Sequence, residues 1–228
     1  MRLDKFLSNM KYGTRNEVSK QIKKGHVLLN GTVCKDSKLK IKPESDIVTI
    51  HGEDVFYKET VLLMLNKPAG YISANTDGLH KTVLELITEP YSRFDLSIAG
   101  RLDIDTEGLL LLTNNGQLLH DIISPNKNVY KTYFVRVNEG FDPSLLLKEY
   151  EILDGRNHPY IPALPKVKRI SDTEFELSIK EGKFHQVKRM VSHFERTVIY
   201  LKRISIGNLV LDETLPLGEF KEVNQKNI

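Results

Sequence analysis

Apolar residues near the start of the chain recur every three or four positions, which is the spacing of one helix face. The residues that share this face are Leu3, Phe6, Leu7 and Met10. Gly13 then interrupts the pattern, as glycine commonly does at the end of a helix. The pattern therefore predicts a short first helix.

A second helix and a hairpin follow. The stretch "TRNE" at Thr14–Glu17 has the composition of a capping box, in which the threonine hydroxyl and the glutamate carboxylate satisfy free N–H groups. Val18 and Ile22 lie one turn apart and form the inner face. The next segment, "HVLLNGTVCKD", contains two apolar runs joined by Asn-Gly, a pair typical of a tight β-hairpin.

The rest of the chain contains more strand candidates than helix candidates. Strands are predicted within "TVLLMLNKPAGYIS", where Lys67-Pro68 interrupts the pattern, and at Gly108–Thr113, Val129–Val137 and Thr173–Lys180. Helices are predicted at Asp142–Tyr150 and Phe184–Phe194. We therefore predict an α+β fold: a small domain at 1–58, a polar link at 51–60, and a larger domain at 59–228 with a largely antiparallel mixed sheet flanked by helices.

Positive charge is concentrated in the first domain. Residues 1–50 contain eleven Lys and Arg against five Asp and Glu, whereas the remainder contains 22 against 25. Much of the surface of the second predicted helix is basic, through Arg15, Lys20, Lys23 and Lys24. A run of this kind is often only a solvated helix face, but its clustering on a small helix-and-hairpin module favours contact with RNA or DNA.

The cysteine count and the length of the apolar runs exclude several classes of protein. Cys34 is the only cysteine, so an internal disulfide and a paired-thiolate zinc site are excluded. The longest apolar runs fall far short of the roughly 20 residues of a membrane span, and the N-terminus lacks a signal-peptide core. The single cysteine and the lack of an export signal predict a cytoplasmic protein. We also expect a monomer, because no long apolar seam is left over once the core is assigned.

The stretch "AGRLDIDTEGLLLLTNNG" places Asp103, Asp105 and Glu107 within five residues. Three interpretations compete: a metal or phosphotransfer site, a turn that satisfies local N–H groups, or a catalytic carboxylate with a cationic partner elsewhere. The order of residues does not match a phosphotransferase, and no second acidic cluster supplies further metal ligands. Arg101, two residues before Asp103, suggests a charged site, although an ordinary surface ion pair would contain the same residues.

Two further stretches carry candidate chemistry. In "KEGKFHQVKRMVSHF" the apolar residues share one helix face, which leaves His185, Lys188 and Arg189 on the opposite face. In "YKTYFVRV" the alternation puts Lys131 and Tyr133 on the same side of a strand. The cationic face is explained equally well by solvation, and a tyrosine in such a strand is either a core residue or a platform for an unstacked base.

These stretches resemble two known families. The segment "RLDKFLSNMKYGTRNEVSKQIKKGHVLLNGTVCKD" resembles the S4 RNA-binding domain. Taken in order, "LNKPAGYIS", "AGRLDIDTEGLLLLTNNG", "KTYFV" and "EGKFHQVKRM" resemble the motifs of bacterial ribosomal RNA pseudouridine synthases. The last motif is most similar to the ribosomal small subunit pseudouridine synthase A branch, which modifies one uridine of 16S rRNA.

The resemblance implies roles for individual residues. It implies that Asp103 is the catalytic aspartate, that Arg101 lies beside it, that Tyr133 packs against the target base, and that Lys188 pairs with the aspartate. Lysine here keeps the charge of the arginine found in relatives but loses its two-pronged geometry. The residues expected to bind substrate or RNA are Arg189, His185, Lys183, Lys67, Arg15, Lys20, Lys23 and Lys24.

The resemblance further implies base flipping, no cofactor and no metal. Asp105 and Glu107 are predicted to stabilise the loop, and Lys67 and Pro68 to support it. Two alternatives stay open at this point: a synthase that acts on 23S large-subunit rRNA, and a non-catalytic RNA-binding or ribosome-assembly factor.

Overall fold

The computed structural model describes residues 1–124 and 129–225, which form two compact units. The first unit comprises Met1–Val61 together with Ile87–Leu96, and the second comprises Leu62–Leu86 and the described residues from Ser97 onward. The prediction assigned residues 87–96 to the second domain, but in the structure they pack with the first unit. The division at residue 58 otherwise stays a prediction.

The first unit combines two helices with a small antiparallel sheet whose strand order is β2-β1-β3-β4. Its elements are α1 (Leu3–Asn9), α2 (Arg15–Lys23), β1 (Val27–Leu29), β2 (Thr32–Val33), β3 (Val48–Ile50) and β4 (Glu53–Asp54). The prediction of a polar link at 51–60 is wrong, because this stretch contains β4 and the ring of Phe56, which packs edge-on against Tyr91 and Phe94.

The local signals at the start of the first unit form as predicted. Thr14 accepts a hydrogen bond from the Glu17 N–H, and the Glu17 carboxylate accepts one from the Thr14 N–H, which completes the capping box of α2. Asn30 and Gly31 both have positive φ, +49° and +79°, as the two central residues of a tight hairpin require. Both helices and the hairpin of the sequence prediction are confirmed.

The second unit is built on one sheet of nine described strands, with a separate two-stranded hairpin. The strands of the unit are β5 (Leu62–Lys67), β6 (Ser97–Ala99), β7 (Glu107–Thr113), β8 (Lys131–Val137), β9 (Ile152–Leu153), β10 (Pro159–Tyr160), β11 (Lys166–Arg169), β12 (Glu174–Ile179), β13 (Val198–Ile206), β14 (Leu209–Val210) and β15 (Phe220–Glu222).

The strand order of the large sheet is β11-β12-β8-β13-β7-β5-β15, with β14 beside β13 and β6 beside β7. Among the described strand pairs of this sheet, β7 and β13 are parallel and the others are antiparallel. The predicted α+β class with a largely antiparallel mixed sheet is confirmed. The apolar runs of β5 and β7 are buried at nearly every position, because these strands lie in the interior of the sheet.

Two α-helices of the second unit are described, α3 (Gly116–Ile123) and α4 (Gln186–Ser192). The predicted α-helix at Asp142–Tyr150 is wrong: Pro143–Leu147 is a 3-10 helix. Asp142 caps it as expected, but the buried residues are three positions apart, which suits the three-residue turn of a 3-10 helix.

Within the described ranges, no helix is both long and apolar enough to cross a lipid bilayer.

The parallel contact between β7 and β13 depends on a glycine. Gly108 lies opposite Arg203 with φ +101°, and a Cβ atom at this position would lie 2.3 Å from the Arg203 carbonyl oxygen. An atom that close to backbone would force the two strands apart. Gly108 therefore allows the close approach that joins the two halves of the sheet.

We expect Gly108→Ala to lower the free energy of unfolding by about 2 kcal/mol, because it combines overpacking with an unfavourable positive φ. Urea denaturation measures the change. Gly116→Ala is the matched control, since a Cβ at Gly116 meets nothing within 4 Å and its φ is not positive. Equal stability of the two variants would contradict this account of the strand contact.

Candidate active site

The acidic stretch forms a structured loop between β6 and β7. Thr106 donates its N–H to the Asp103 carbonyl oxygen at 3.1 Å, which closes a turn. The Ser73 hydroxyl donates to the Leu102 carbonyl and accepts from the Leu102 N–H, both at 3.0 Å. The loop backbone is therefore held in one conformation, and its carboxylates are displayed from a fixed frame.

Lys67, the last residue of β5, binds the backbone of this loop from its buried side. Its ammonium group donates to the carbonyl oxygens of Pro68 (3.0 Å), Asp103 (3.0 Å), Ile104 (3.4 Å) and Thr106 (2.8 Å). Burial lowers the pKa of Lys67 to about 8, and the nearby carboxylates oppose that shift. The side chain is fully buried, so the prediction that Lys67 contacts RNA is wrong: it has no accessible surface to offer.

Lys188 on α4 lies between two carboxylates of the loop. Its Nζ is 3.5 Å from Asp103 Oδ2 and 2.6 Å and 2.8 Å from the two carboxylate oxygens of Asp105. Burial opposes the ionisation of Asp105, but the hydrogen bond and charge of Lys188 outweigh it and keep the pKa of Asp105 below its usual value. The shorter contacts show that Lys188 is fixed by Asp105 while it faces Asp103.

His185 is the second basic side chain that lies close to Asp103. Its Nε2 lies 3.6 Å from Asp103 Oδ1, and the ring stacks on Phe184 with centroids 3.7 Å apart. His185 precedes α4 with φ +53°, a left-handed conformation that is uncommon for a residue with a side chain. This turn directs the imidazole at the acidic loop, so His185 and Lys188 both face the same carboxylate.

Asp103 opens onto a cleft rather than into the core. Its side chain is 27% exposed, and it lines a cavity together with Arg101, Tyr133, Lys183, His185 and Lys188. Tyr133 is largely buried on the inner face of β8, yet one side of it faces this cavity. Tyr133 was interpreted as either a core residue or a platform for a base. In the structure it belongs to the core and also lines the cleft, so the two interpretations are compatible.

Arg189, the neighbour of Lys188, has a different environment. Its Nη1 donates to the carbonyl oxygens of Leu153 and Asp154, both at 2.9 Å. The side chain thereby joins α4 to the hairpin β9–β10 and makes no described contact with Asp103. Lys188, 3.5 Å from Asp103, is therefore the residue of this pair that faces the carboxylate.

Arg203 is a part of the site that the sequence analysis missed. It is 1% exposed, donates from Nε to the Leu109 carbonyl oxygen at 2.7 Å, and donates from Nη1 to the Arg101 carbonyl oxygen at 3.3 Å. Arg203 therefore links β7 to the start of the acidic loop. The sequence did contain a signal for Arg203. It lies two residues after Leu201, and alternation along a strand places both side chains on the same, inward face.

The remaining predicted residues fall into two groups. Glu107 is the first residue of β7 and accepts a hydrogen bond from the Tyr200 hydroxyl of β13 at 2.8 Å, so its predicted role in the loop stays a prediction. Arg15 is bonded to Asp4 in the first unit, where Lys20, Lys23 and Lys24 are exposed. In the described part of the chain, no three His, Cys, Asp or Glu side chains are placed to hold a metal ion.

Comparisons with known proteins cover the whole chain. The family model for RNA pseudouridylate synthase matches residues 61–193, and the model for the S4 domain matches residues 1–48. The chain is 43% identical to an uncharacterised RNA pseudouridine synthase of Bacillus subtilis, over 100% of this chain and 97% of that protein. It is 37% identical to the ribosomal small subunit pseudouridine synthase A of Vibrio parahaemolyticus, over 100% and 98%.

A solved structure agrees with these matches. A crystal structure of a pseudouridylate synthase is similar with a TM-score of 0.67 and 34% sequence identity, covering 99% of this chain and 97% of that one. Both domain matches and the full-length relatives confirm the two resemblances seen in the sequence. The chain is therefore an RNA pseudouridine synthase, a member of the RNA pseudouridylate synthase family that carries an S4 domain at its N-terminus.

Proposed function

We propose that this enzyme isomerises uridine to pseudouridine in ribosomal RNA and that its target is one uridine of 16S small-subunit rRNA. The observation that carries the proposal is 37% identity, over 98% of their length, to proteins named ribosomal small subunit pseudouridine synthase A. The basic surface of the S4 domain supports it, because Lys and Arg supply most of the affinity for a phosphate backbone. The reaction would take place in the cytoplasm, with the enzyme acting as a monomer.

The reaction exchanges one glycosidic bond for another. The bond between uracil N1 and ribose C1′ breaks, and a bond between C5 and C1′ forms; C5 loses its proton and N1 gains one, so no oxidant, reductant or cofactor is needed. Departure of the uracil leaves positive charge on the sugar, which a carboxylate stabilises or captures, as in glycoside hydrolysis. We assign this role to Asp103, acting at C1′.

The neighbours of Asp103 support this assignment. Two basic side chains lie close to its carboxylate, with Lys188 Nζ at 3.5 Å and His185 Nε2 at 3.6 Å. The positive charge of Lys188 attracts the carboxylate in a partly closed cleft, where charges interact more strongly than in bulk water. Asp105 orients Lys188 through two short hydrogen bonds, which leaves Asp103 free of direct bonds to the ammonium group.

The substrate must enter the cleft as an extruded nucleoside. Flipping a uridine out of a stack costs a few kcal/mol, and contacts in the pocket must offset that cost. Tyr133 lies on the cleft wall, where its ring can pack against the uracil, and Arg101 is exposed at the same opening. These two residues are our candidates for holding the base and the adjoining backbone.

We expect the purified enzyme to form pseudouridine at one position of unmodified 16S rRNA transcribed in vitro, and to leave a 23S transcript unmodified. Mapping of pseudouridine at single-nucleotide resolution in both transcripts tests this. The same map from cells with and without the gene should lose one 16S position. Product in 23S alone would favour a large-subunit synthase, and binding without product in either RNA would favour a non-catalytic assembly factor.

A further inference from the structure

A second cleft adjoins the one that contains Asp103. The two clefts share Arg101, Lys183 and Phe184, and the second extends to the loop between β9 and β10. That loop contributes Arg156 and His158. The roles assigned above do not use this loop, although it opens directly from the candidate active site.

The backbone of the loop between β9 and β10 is fixed by hydrogen bonds to one of its own side chains. The Asp154 carboxylate accepts hydrogen bonds from the N–H groups of Arg156 at 2.8 Å and His158 at 3.0 Å. The bonds from His158 and Arg156 keep the pKa of Asp154 below its usual value. The acidic group in this cleft is therefore engaged by the loop backbone, which fixes the loop.

The same loop is hydrogen-bonded to α4. Arg189 donates to the carbonyl oxygens of Leu153 and Asp154, so the hairpin is connected to the residue that follows Lys188. Phe184 packs on Gly155, where a Cβ atom would lie only 2.8 Å from the Phe184 Cβ. The position of the second cleft is thus coupled to the position of α4.

The exposed groups of the second cleft suit a nucleotide. In the described chain, no hydrogen bond or ion pair occupies the guanidinium groups of Arg101 and Arg156, and both residues are exposed. Phe184 is 54% exposed, and its ring is backed by His185 in a stacked arrangement. Guanidinium groups bind phosphate through two parallel hydrogen bonds, and an exposed ring stacks on a base of any sequence.

We propose that this second cleft binds the nucleotide next to the target uridine, with Arg156 and Arg101 on its phosphate and Phe184 against its base. The inference rests on the proposed function, since it requires an RNA substrate with a uridine in the first cleft. Arg189 acts as a positioning residue that holds the hairpin and α4 together. The subsite would contribute the binding energy that keeps the target strand open during base flipping.

Arg156→Ala tests the phosphate contact, and steady-state kinetics on the 16S transcript measure it at several salt concentrations. We expect KM to rise about tenfold and kcat to stay within about twofold, because the lost contact is equally present before and during the reaction. The slope of log KM against log salt should fall by about 0.7, the value for one phosphate contact on a single strand. Arg169→Ala is the control, since Arg169 is exposed, pairs with Asp172 and lies outside the cleft.

Phe184→Leu tests the stacking contact separately. This change keeps an apolar side chain against Gly155 but removes the ring, so we expect KM to rise about tenfold and Phe184→Tyr to restore it. Product from the wild type with unchanged KM and salt slope in Arg156→Ala would overturn this inference alone. No product from the wild type on either 16S or 23S transcripts would overturn the proposed function and the inference with it.

Discussion

Asp103→Asn is expected to abolish pseudouridine formation while RNA binding and stability stay close to those of the wild type. The amide has nearly the same size as the carboxylate but carries no charge to stabilise the sugar as the N1–C1′ bond breaks. Loss of one charged catalytic group costs a factor of at least about a thousand in turnover. Single-turnover assays on the 16S transcript, with filter binding and thermal melting in parallel, measure the three properties.

Asp105→Asn is the matched control for this prediction, because the same loop contains both residues. Asp105, not Asp103, makes the shorter contacts with Lys188, at 2.6 Å and 2.8 Å against 3.5 Å. If Asp105 only orients the ammonium group, its amide variant should lose about tenfold in turnover, the cost of a weaker hydrogen bond to a charged group. Complete loss in Asp105→Asn with activity retained in Asp103→Asn would exchange the two assignments.

Much of the fold could be predicted because the relevant signals are local. The capping box at Thr14, the Asn30-Gly31 turn and the alternation through Tyr133 each depend on residues within one turn or strand. The prediction of an α-helix at Asp142–Tyr150 was wrong because its local signals mark only the start of a helix. A cap and a proline mark where a helix starts, but the spacing of buried neighbours decides whether it continues as an α-helix.

For the candidate site, the motifs identified individual residues but did not show which of these residues contact each other. Asp103 and Lys188 were both identified, 85 positions apart in sequence, and they lie 3.5 Å apart in the structure. The contact between Lys188 and Asp105 was not predicted, because a sequence does not show which of two carboxylates two residues apart a lysine reaches. The same limit applies to Arg203, whose partners are backbone carbonyls of distant strands.

The buried position of Lys67 explains why the acidic loop keeps its shape. Three N–H bonds of one ammonium group serve four carbonyl oxygens, three of which belong to the loop residues Asp103, Ile104 and Thr106. A carboxylate whose backbone is held in this way needs no rearrangement when the sugar becomes charged, and such preorganisation is a large part of catalysis. In the proposed mechanism Lys67 therefore acts by holding the backbone of Asp103, because its buried side chain has no surface for contact with substrate.

We expect Lys67→Met to reduce kcat about a hundredfold and to lower the free energy of unfolding by about 3 kcal/mol. Each buried carbonyl left without a donor costs about 1–3 kcal/mol, and removal of a buried charge offsets part of the sum. A shift of about 1 Å in a catalytic group is enough for the loss in rate. Kinetics on the 16S transcript and urea denaturation measure the two effects.

Lys131→Met is the matched control. Lys131 is also a buried strand lysine with a lowered pKa caused by burial and by Arg203, but its ammonium group makes one long bond, 3.4 Å to the Lys180 carbonyl, and holds no loop. We expect it to retain kcat within about threefold and to lose less than about 1 kcal/mol of stability. Equal losses in both variants would mean that any buried lysine of this sheet is needed for folding, and that Lys67 has no specific role in the loop.

The pH dependence of stability gives an independent check on Lys67. The folded chain releases the Lys67 proton above a pKa of about 8, whereas the unfolded chain keeps it up to about 10.5. Between these values the unfolded state binds more protons, so this group makes the free energy of unfolding rise with pH. The stability difference between the wild type and Lys67→Met should therefore widen from pH 8 to pH 10. A constant difference across this range would show that Lys67 keeps its proton, and that the four carbonyl oxygens outweigh the cost of burial.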